Sequence, residues 1–96
     1  MENKDIIKEL TAIIRRHLPD RKFKILLFGS WAKGSAEPTS DIDVGILGPQ
    51  PVDDPLLLRI REEILGIPTL RRIDLVDLNQ TDQRFRQEVM SYAQTL

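Results

Sequence analysis

The chain has no cysteine. That excludes a disulfide framework and thiolate metal sites, though it names no compartment. Its single histidine, His17, has no second imidazole or thiol with which to build a nitrogen or sulfur site. A partly exposed position near a helix C-terminus, where positive charge is mildly favoured, accounts for it. Neither charge sign is in excess: 14 basic residues face 15 acidic ones, for a net charge of −1. The basic footprint of non-specific nucleic-acid binding is therefore missing, and direct nucleic-acid binding is not expected. No stretch reaches the roughly 18 apolar residues of a membrane span. The opening MENKDIIKEL carries charges throughout and lacks the apolar core of a signal peptide. The expectation is a soluble cytoplasmic protein without membrane contact. Repeats, low-complexity segments and linkers are also lacking. A chain of 96 residues buries only about two-thirds of its unfolded surface, so residues 1–96 are read as a single domain.

What is present is periodic. Ile6, Ile7, Leu10, Ile13, Ile14 and Leu18 recur at helical spacing, which predicts a helix over 4–18, with Asn3 as a possible cap and Pro19 as the stop. Lys24 to Phe28 is a short apolar run bounded by turn residues, a buried strand. Trp31 to Lys33 reads as one helical turn closed by Gly34, and 35–40 as a polar loop. Asp41 to Leu47 alternates, with Ile42, Val44 and Ile46 on one face and Asp41, Asp43 and Gly45 on the other. Asp54-Pro55 starts a second helix, Asp54 capping and Pro55 at the first helical position; Leu57, Ile60 and Ile64, with Leu58 and Leu65 on the flank, form its apolar stripe, and Gly66 ends it. Arg72 to Leu78 is a third strand with Asp74, Val76 and Leu78 on one face and Ile73, Leu75 and Asp77 on the other. Thr81 or Asp82 caps a last helix, whose buried stripe is Phe85, Val89, Tyr92 or Ala93, and Leu96. The predicted fold class is α/β (α+β), in the order α-β-(short α)-β-α-β-α: a small mixed sheet of about three strands, with helices on one face.

The chemistry concentrates in LLFGSWAKGSAEPTSDIDVGIL, residues 26–47. Gly29 permits a tight turn and close backbone approach to a ligand. Ser30 follows at an expected helix N-terminus, where N–H groups and a hydroxyl can meet phosphate oxygens. Ten residues on, Asp41 and Asp43 share a strand face, roughly 6–7 Å apart along the chain. Unneutralised carboxylates raise each other's pKa; a hard cation with oxygen ligands relieves this, and Mg²⁺ takes one or two carboxylates together with phosphate oxygens. A pair able to bridge two ions fits in-line displacement at phosphorus. For Gly29-Ser30, at the end of strand one, to meet Asp41, at the start of strand two, the two strands must be antiparallel neighbours. Asp74, inside an apolar strand, is costly unless paired or metal-bound and is the natural third carboxylate. Asp77 has the opposite parity and is set aside.

The pattern Gly29-Ser30, ten residues, Asp41-x-Asp43 resembles the signature of the DNA polymerase beta-type nucleotidyltransferase superfamily, and within it the minimal nucleotidyltransferase (MNT) family. Four specified residues at roughly 5–7% usage each coincide by chance in on the order of one such chain in a thousand. The resemblance implies a polymerase beta palm-like fold. It implies that Asp41, Asp43 and Asp74 bind Mg²⁺, two ions on the reading of the carboxylate pair above, and are catalytic, and that Gly29, Ser30, Lys33 and Ser40 bind the nucleotide. The expected reaction moves AMP from ATP to a hydroxyl. Many MNT proteins act as antitoxins that bind a HEPN-domain toxin and adenylylate its tyrosine (type VII toxin–antitoxin systems), so a HEPN partner and a hetero- or homo-oligomer are expected. One departure is Trp31, where many relatives carry Arg; Lys33 and Ser35 are possible substitutes for that phosphate contact.

Blander readings stand beside these. Asp41 and Asp43 suit a solvated strand end, Asp74 a salt bridge to Arg71 or Arg72, Ser30 a plain turn, Lys33 a solvated charge, and Trp31 packing or a partner contact. Two other functions also fit: a non-catalytic partner-binding antitoxin module, and the catalytic subunit of a two-component small-molecule nucleotidyltransferase. The motivation for both is that no acceptor pocket is evident in so short a chain.

Overall fold

A computed structural model of the chain describes residues 3–29, 32 and 41–96. Helix α1, Asn3–His17, buries Ile6, Leu10, Ile13 and Ile14 and leaves its charges outside. Arg15, Arg16 and His17 fall in its last turn, the favourable end of the helix dipole. Its bounds lie one residue from those expected, and capping by the Asn3 side chain falls outside what the structure describes. Strand β1, Lys24–Phe28, follows the turn at 19–23. Of the expected helical turn at Trp31–Lys33 only Ala32 is described, in a turn, and the loop at 35–40 lies outside the described residues. Strand β2 is Ile42–Leu47.

Helix α2, Asp54–Ile64, starts one residue earlier than predicted: Asp53 is the cap, and its carbonyl accepts the Leu57 N–H at 2.9 Å. Asp54 is already helical, and Pro55 loses nothing in a first turn that has no acceptor for its missing N–H. Asp53 makes no side-chain cap bond. The helix ends in short turns, Gly66 N–H to the Glu63 carbonyl and Ile67 N–H to the Ile64 carbonyl, both 3.0 Å. Gly66 therefore does not use a left-handed cap.

Strand β3 is Ile73–Asp77, and a 3₁₀ turn over Leu78–Gln80 follows, capped by the Asp77 carboxylate on the Asn79 N–H. Helix α3, Gln83–Tyr92, is capped by Asp82, which accepts the Phe85 N–H at 2.9 Å. Leu96, expected on the buried stripe of this helix, is not part of it. The chain leaves the helix at Ala93 and forms β4, Gln94–Thr95, alongside Leu26–Leu27, while the Leu96 N–H reaches the Ile25 carbonyl at 2.8 Å. Satisfying the open edge of β1 outcompetes one more helical turn.

The sheet order is β3-β2-β1-β4, with β2 and β3 parallel and the other pairs antiparallel. It is a mixed sheet, as expected, with a short fourth strand added; β1 and β2 are the antiparallel neighbours that the motif requires. The main core lies between α1, α2 and the sheet face carrying Ile25, Leu27, Ile42, Val44, Ile46 and Leu75. The other face is not bare: Leu26, Phe28, Leu78 and Val89 of α3 form a second, smaller cluster there. Helices thus flank both faces. That second face also carries the acidic residues.

Buried Asp77, 4% exposed, joins these layers. Its carboxylate accepts the Val52 N–H at 2.8 Å, the Asn79 N–H at 3.0 Å and the Gln80 side-chain N–H at 3.1 Å. It ties the segment entering α2 to the end of β3.

Candidate active site

β1 ends at Phe28, and Gly29 turns the chain with φ 73, the one positive φ among the described residues. A side chain is disfavoured there twice. The left-handed backbone suits glycine, and a Cβ on Gly29 would collide with the Asp43 carboxylate. The glycine therefore lets the backbone of the turn lie directly on that carboxylate.

Register supplies the rest. Asp43 pairs with Phe28 across the antiparallel β1–β2 ladder and with Asp74 across the parallel β2–β3 ladder. Asp41 precedes β2 on the same parity. Asp43 and Asp74 from neighbouring strands, with Asp41 just before β2, thus gather at the end of the Gly29 turn. Asp43 is central and half-buried, Asp41 exposed. Burial first, then Asp74, then Asp41 push the Asp43 carboxyl above the usual carboxylate range, while Arg72 pulls the other way. Arg72 Nε donates to Asp74 at 3.0 Å, an exposed pair. This is the salt bridge that the blander reading of Asp74 anticipated, and it leaves Asp74 on the same face as Asp43.

One contact had no signal in the pattern. The Gly29 N–H donates to the Tyr92 hydroxyl at 3.1 Å, from a residue 63 positions away. The stripe of α3 left Tyr92 and Ala93 as alternatives and gave no sign of what Tyr92 meets. Ser30, Trp31, Lys33 and Ser40, the other residues expected near the nucleotide, lie outside the described residues.

The donor set is oxygen only. Among the described residues no three acidic or imidazole groups converge into a ready-made cage. Mutually repelling carboxylates that raise one another's pKa do not close up without a cation between them. An all-carboxylate face whose central member is pushed toward the neutral form, beside a turn kept free of side chains, fits a hard divalent cation that shares its ligands with phosphate.

This arrangement, a mixed sheet with a glycine turn at the end of β1 and aspartates at β2 and β3, is the layout of a palm of the nucleotidyltransferase type. The chain belongs to the family whose sequence model is described as Polymerase beta, Nucleotidyltransferase, which matches residues 8–96. Within that family it is similar to the probable protein adenylyltransferase MntA of Haemophilus influenzae, 33% identical over 87 residues that cover 86% of this chain and 75% of the relative. Its fold matches that of a toxin–antitoxin crystal structure with AMP-PNP, at TM-score 0.72 and 24% identity over 98% of this chain and 72% of that one. It also matches a Shewanella oneidensis complex of a tri-AMPylated HEPN toxin with an MNT antitoxin, at TM-score 0.70 and 20% identity over 98% and 71% of the two chains. Among the described residues no helix is long and apolar enough to cross a membrane.

Proposed function

We propose that the chain is a Mg²⁺-dependent adenylyltransferase that moves AMP from ATP to a hydroxyl, a tyrosine on a HEPN-type toxin partner, and so acts as the antitoxin of the pair. The observation that carries this reading is the register of Asp43 with Asp74 beside the Gly29 turn. The name of the H. influenzae relative supports protein adenylylation, and the AMPylated HEPN toxin in the S. oneidensis complex supports the partner class.

In this reading residues 1–96 work as one minimal nucleotidyltransferase domain. Asp41, Asp43 and Asp74 would hold Mg²⁺, as two ions where the carboxylate pair bridges them, and the metal would supply charge neutralisation at the triphosphate. Gly29 and Ser30 receive the triphosphate tail, with Lys33 and Ser40 beside it. Asp74 takes the proton of the acceptor hydroxyl, whose oxygen bonds to the α-phosphorus as the bond to diphosphate breaks. The raised pKa of Asp43 marks the carboxylate that gains most from a cation.

The test is labelled ATP with Mg²⁺ and a purified HEPN-type toxin. Label is expected on the toxin with wild-type chain and not with Asp41→Ala/Asp43→Ala. An unlabelled, folded toxin that the wild-type chain nonetheless neutralises would instead make this a binding module.

A further inference from the structure

Phe28 closes β1 on the face that carries the carboxylates. It is the ladder partner of Asp43, and partners across a ladder share a face, with Cβ atoms about 5 Å apart. Its ring is buried in the cluster with Leu26, Leu78 and Val89. Phe85, in the first turn of α3, packs against that ring with centroids 6.0 Å apart and planes at 82°. Two turns further on, the Tyr92 hydroxyl accepts the Gly29 N–H. Both ends of α3 thus touch the end of β1, and the helix borders the carboxylate site along its length.

Expected on the buried stripe of its helix, Phe85 is instead the open member of this pair: 37% of it is exposed, against 6% of Phe28. An edge-to-face contact occupies at most one face of each ring, so Phe85 keeps a face for another planar group. The polar groups around it are committed elsewhere. Arg86 donates to the carbonyls of Leu78 and Thr81 at 2.9 and 3.1 Å, and Asp82 caps the helix on the Phe85 N–H. The other exposed large apolar side chains among the described residues do not extend the patch. Met90 lies well round the helix, Leu58 is on α2, and Leu65 and Leu70 follow that helix. A single ring suits a small planar ligand better than a protein surface. Phe85 stands one ring beyond Phe28 from Asp43, within reach of a nucleoside whose phosphates lie at the Gly29 turn.

We propose that Phe85 is the platform for the nucleobase: the base of the bound triphosphate stacks on the free face of its ring while the phosphates lie at the Gly29 turn and the carboxylates. This rests on the transferase reading above and names how its nucleotide is recognised. Phe28 is a positioning residue, holding the Phe85 ring from the side. Stacking requires a π-face and no particular ring substituent. The platform therefore selects by ring area. It favours purines over pyrimidines and treats adenine and guanine nearly alike.

The experiment measures, by calorimetry, the binding of Mg²⁺-ATP and of Mg²⁺-tripolyphosphate, which has no base, to the wild-type chain, Phe85→Leu and Phe85→Trp. Leucine keeps apolar packing against Phe28 and removes the π-face; circular dichroism checks the fold. Phe85→Leu is expected to weaken ATP binding about tenfold, within the range that base stacking spans, and tripolyphosphate binding by less than about twofold. Phe85→Trp is expected to bind ATP at least as tightly as wild type. In NMR spectra the adenine H2 and H8 resonances of ATP move upfield on wild type and on Phe85→Trp, and not on Phe85→Leu. GTP is expected to bind the wild type about as tightly as ATP, and CTP about fivefold more weakly. Equal loss of ATP and tripolyphosphate binding in Phe85→Leu overturns the platform, because the ring then only shapes the second cluster. So does unchanged ATP affinity, including the case in which labelling of a purified HEPN-type toxin falls and the ring serves the partner. CTP bound as tightly as ATP overturns selection by ring area. Each of these results leaves the transferase reading intact. A wild-type chain that binds neither ATP nor tripolyphosphate overturns that reading, and the platform with it.

Discussion

Asp43 stands directly opposite Asp74 across the parallel β2–β3 ladder, and its own carboxylate fills the space that a Cβ on Gly29 would need. Two strands and a turn converge on one half-buried charge. Burial and the two neighbouring aspartates raise its pKa. For a carboxyl this means that the folded state favours the protonated form: the contribution to stability is present at low pH and is lost as pH rises through the folded pKa. At neutral pH, without a cation, Asp43 opposes folding.

Asp43→Asn should therefore raise Tm at pH 7 in the absence of metal. Partial exposure and solvent screening keep the gain small, about 2–4 °C, or roughly half a kcal/mol in a domain of this length. The gap from wild type should close as pH falls toward about 4, the ordinary aspartate range. Mg²⁺-ATP should stabilise wild type and not the variant, because only a state that binds ligand is stabilised by it. Thermal melts at pH 4 and pH 7, with and without Mg²⁺-ATP, measure all three. A variant less stable than wild type at pH 7 without metal would contradict the charge argument.

Gly29→Ala tests the turn. Alanine at φ 73 costs about 1–2 kcal/mol, and its Cβ forces the Asp43 carboxylate aside. Tm should fall by roughly 5–15 °C. Adenylyl transfer should fall about a hundredfold or more even below the melting range, since a misplacement of about 1 Å at a reacting site costs that much. Activity retained in the folded variant would show that contact between the turn and Asp43 is dispensable.

Much of this site was legible because strand parity is a strict rule. The alternation in 41–47 fixed which face carries Asp43, and the turn at Gly29 demanded an antiparallel β1–β2 pair; both hold in the structure. The shared parity of Asp74 and Val76 also holds, Val76 packing against the second cluster, whereas the strand expected over 72–78 covers only Ile73–Asp77 and Leu78 reaches that cluster from the 3₁₀ turn. What escaped depends on contacts distant in sequence or on competition between local options. The strand at Gln94–Thr95 forms because β1 has an open edge, which no property of those two residues announces. The cap of α2 moved to Asp53 because adjacent aspartates are equivalent in pattern and only the entry direction of the chain chooses between them. The link from Tyr92 to Gly29 spans 63 residues and has no local signature.

Asp77 and Asp74, three residues apart on one strand, should separate structure from chemistry. Asp77→Ala strands the N–H groups of Val52 and Asn79 and should cost about 2–3 kcal/mol. Below its lowered melting temperature, its affinity for Mg²⁺-ATP should match wild type. Asp74→Ala breaks only an exposed pair with Arg72, so its stability should change by less than about 1 kcal/mol, yet transfer should be lost. Denaturant melts together with a label-transfer assay on both variants decide this. Reversal of the pattern would exchange the two assignments.

Tyr92→Phe removes a single oxygen, the acceptor of the Gly29 N–H, and keeps the ring against the second cluster. The lost bond should cost about 0.5–1.5 kcal/mol, since the partly buried amide keeps limited access to water. The lost Gly29 bond falls on the turn. The Gly29 amide should exchange with solvent about tenfold faster, and KM for ATP should rise roughly fivefold, the equivalent of about 1 kcal/mol spent on ordering the turn at each binding event. kcat should change less, because Asp43 and Asp74 are held by the β2–β3 ladder whether or not the hydroxyl is present. Hydrogen exchange at Gly29 and a KM-against-kcat comparison read the two effects separately. Unchanged exchange at Gly29 would show that Tyr92 does not hold the turn. A fall in kcat alone would instead place its hydroxyl among the groups that act on the reacting atoms.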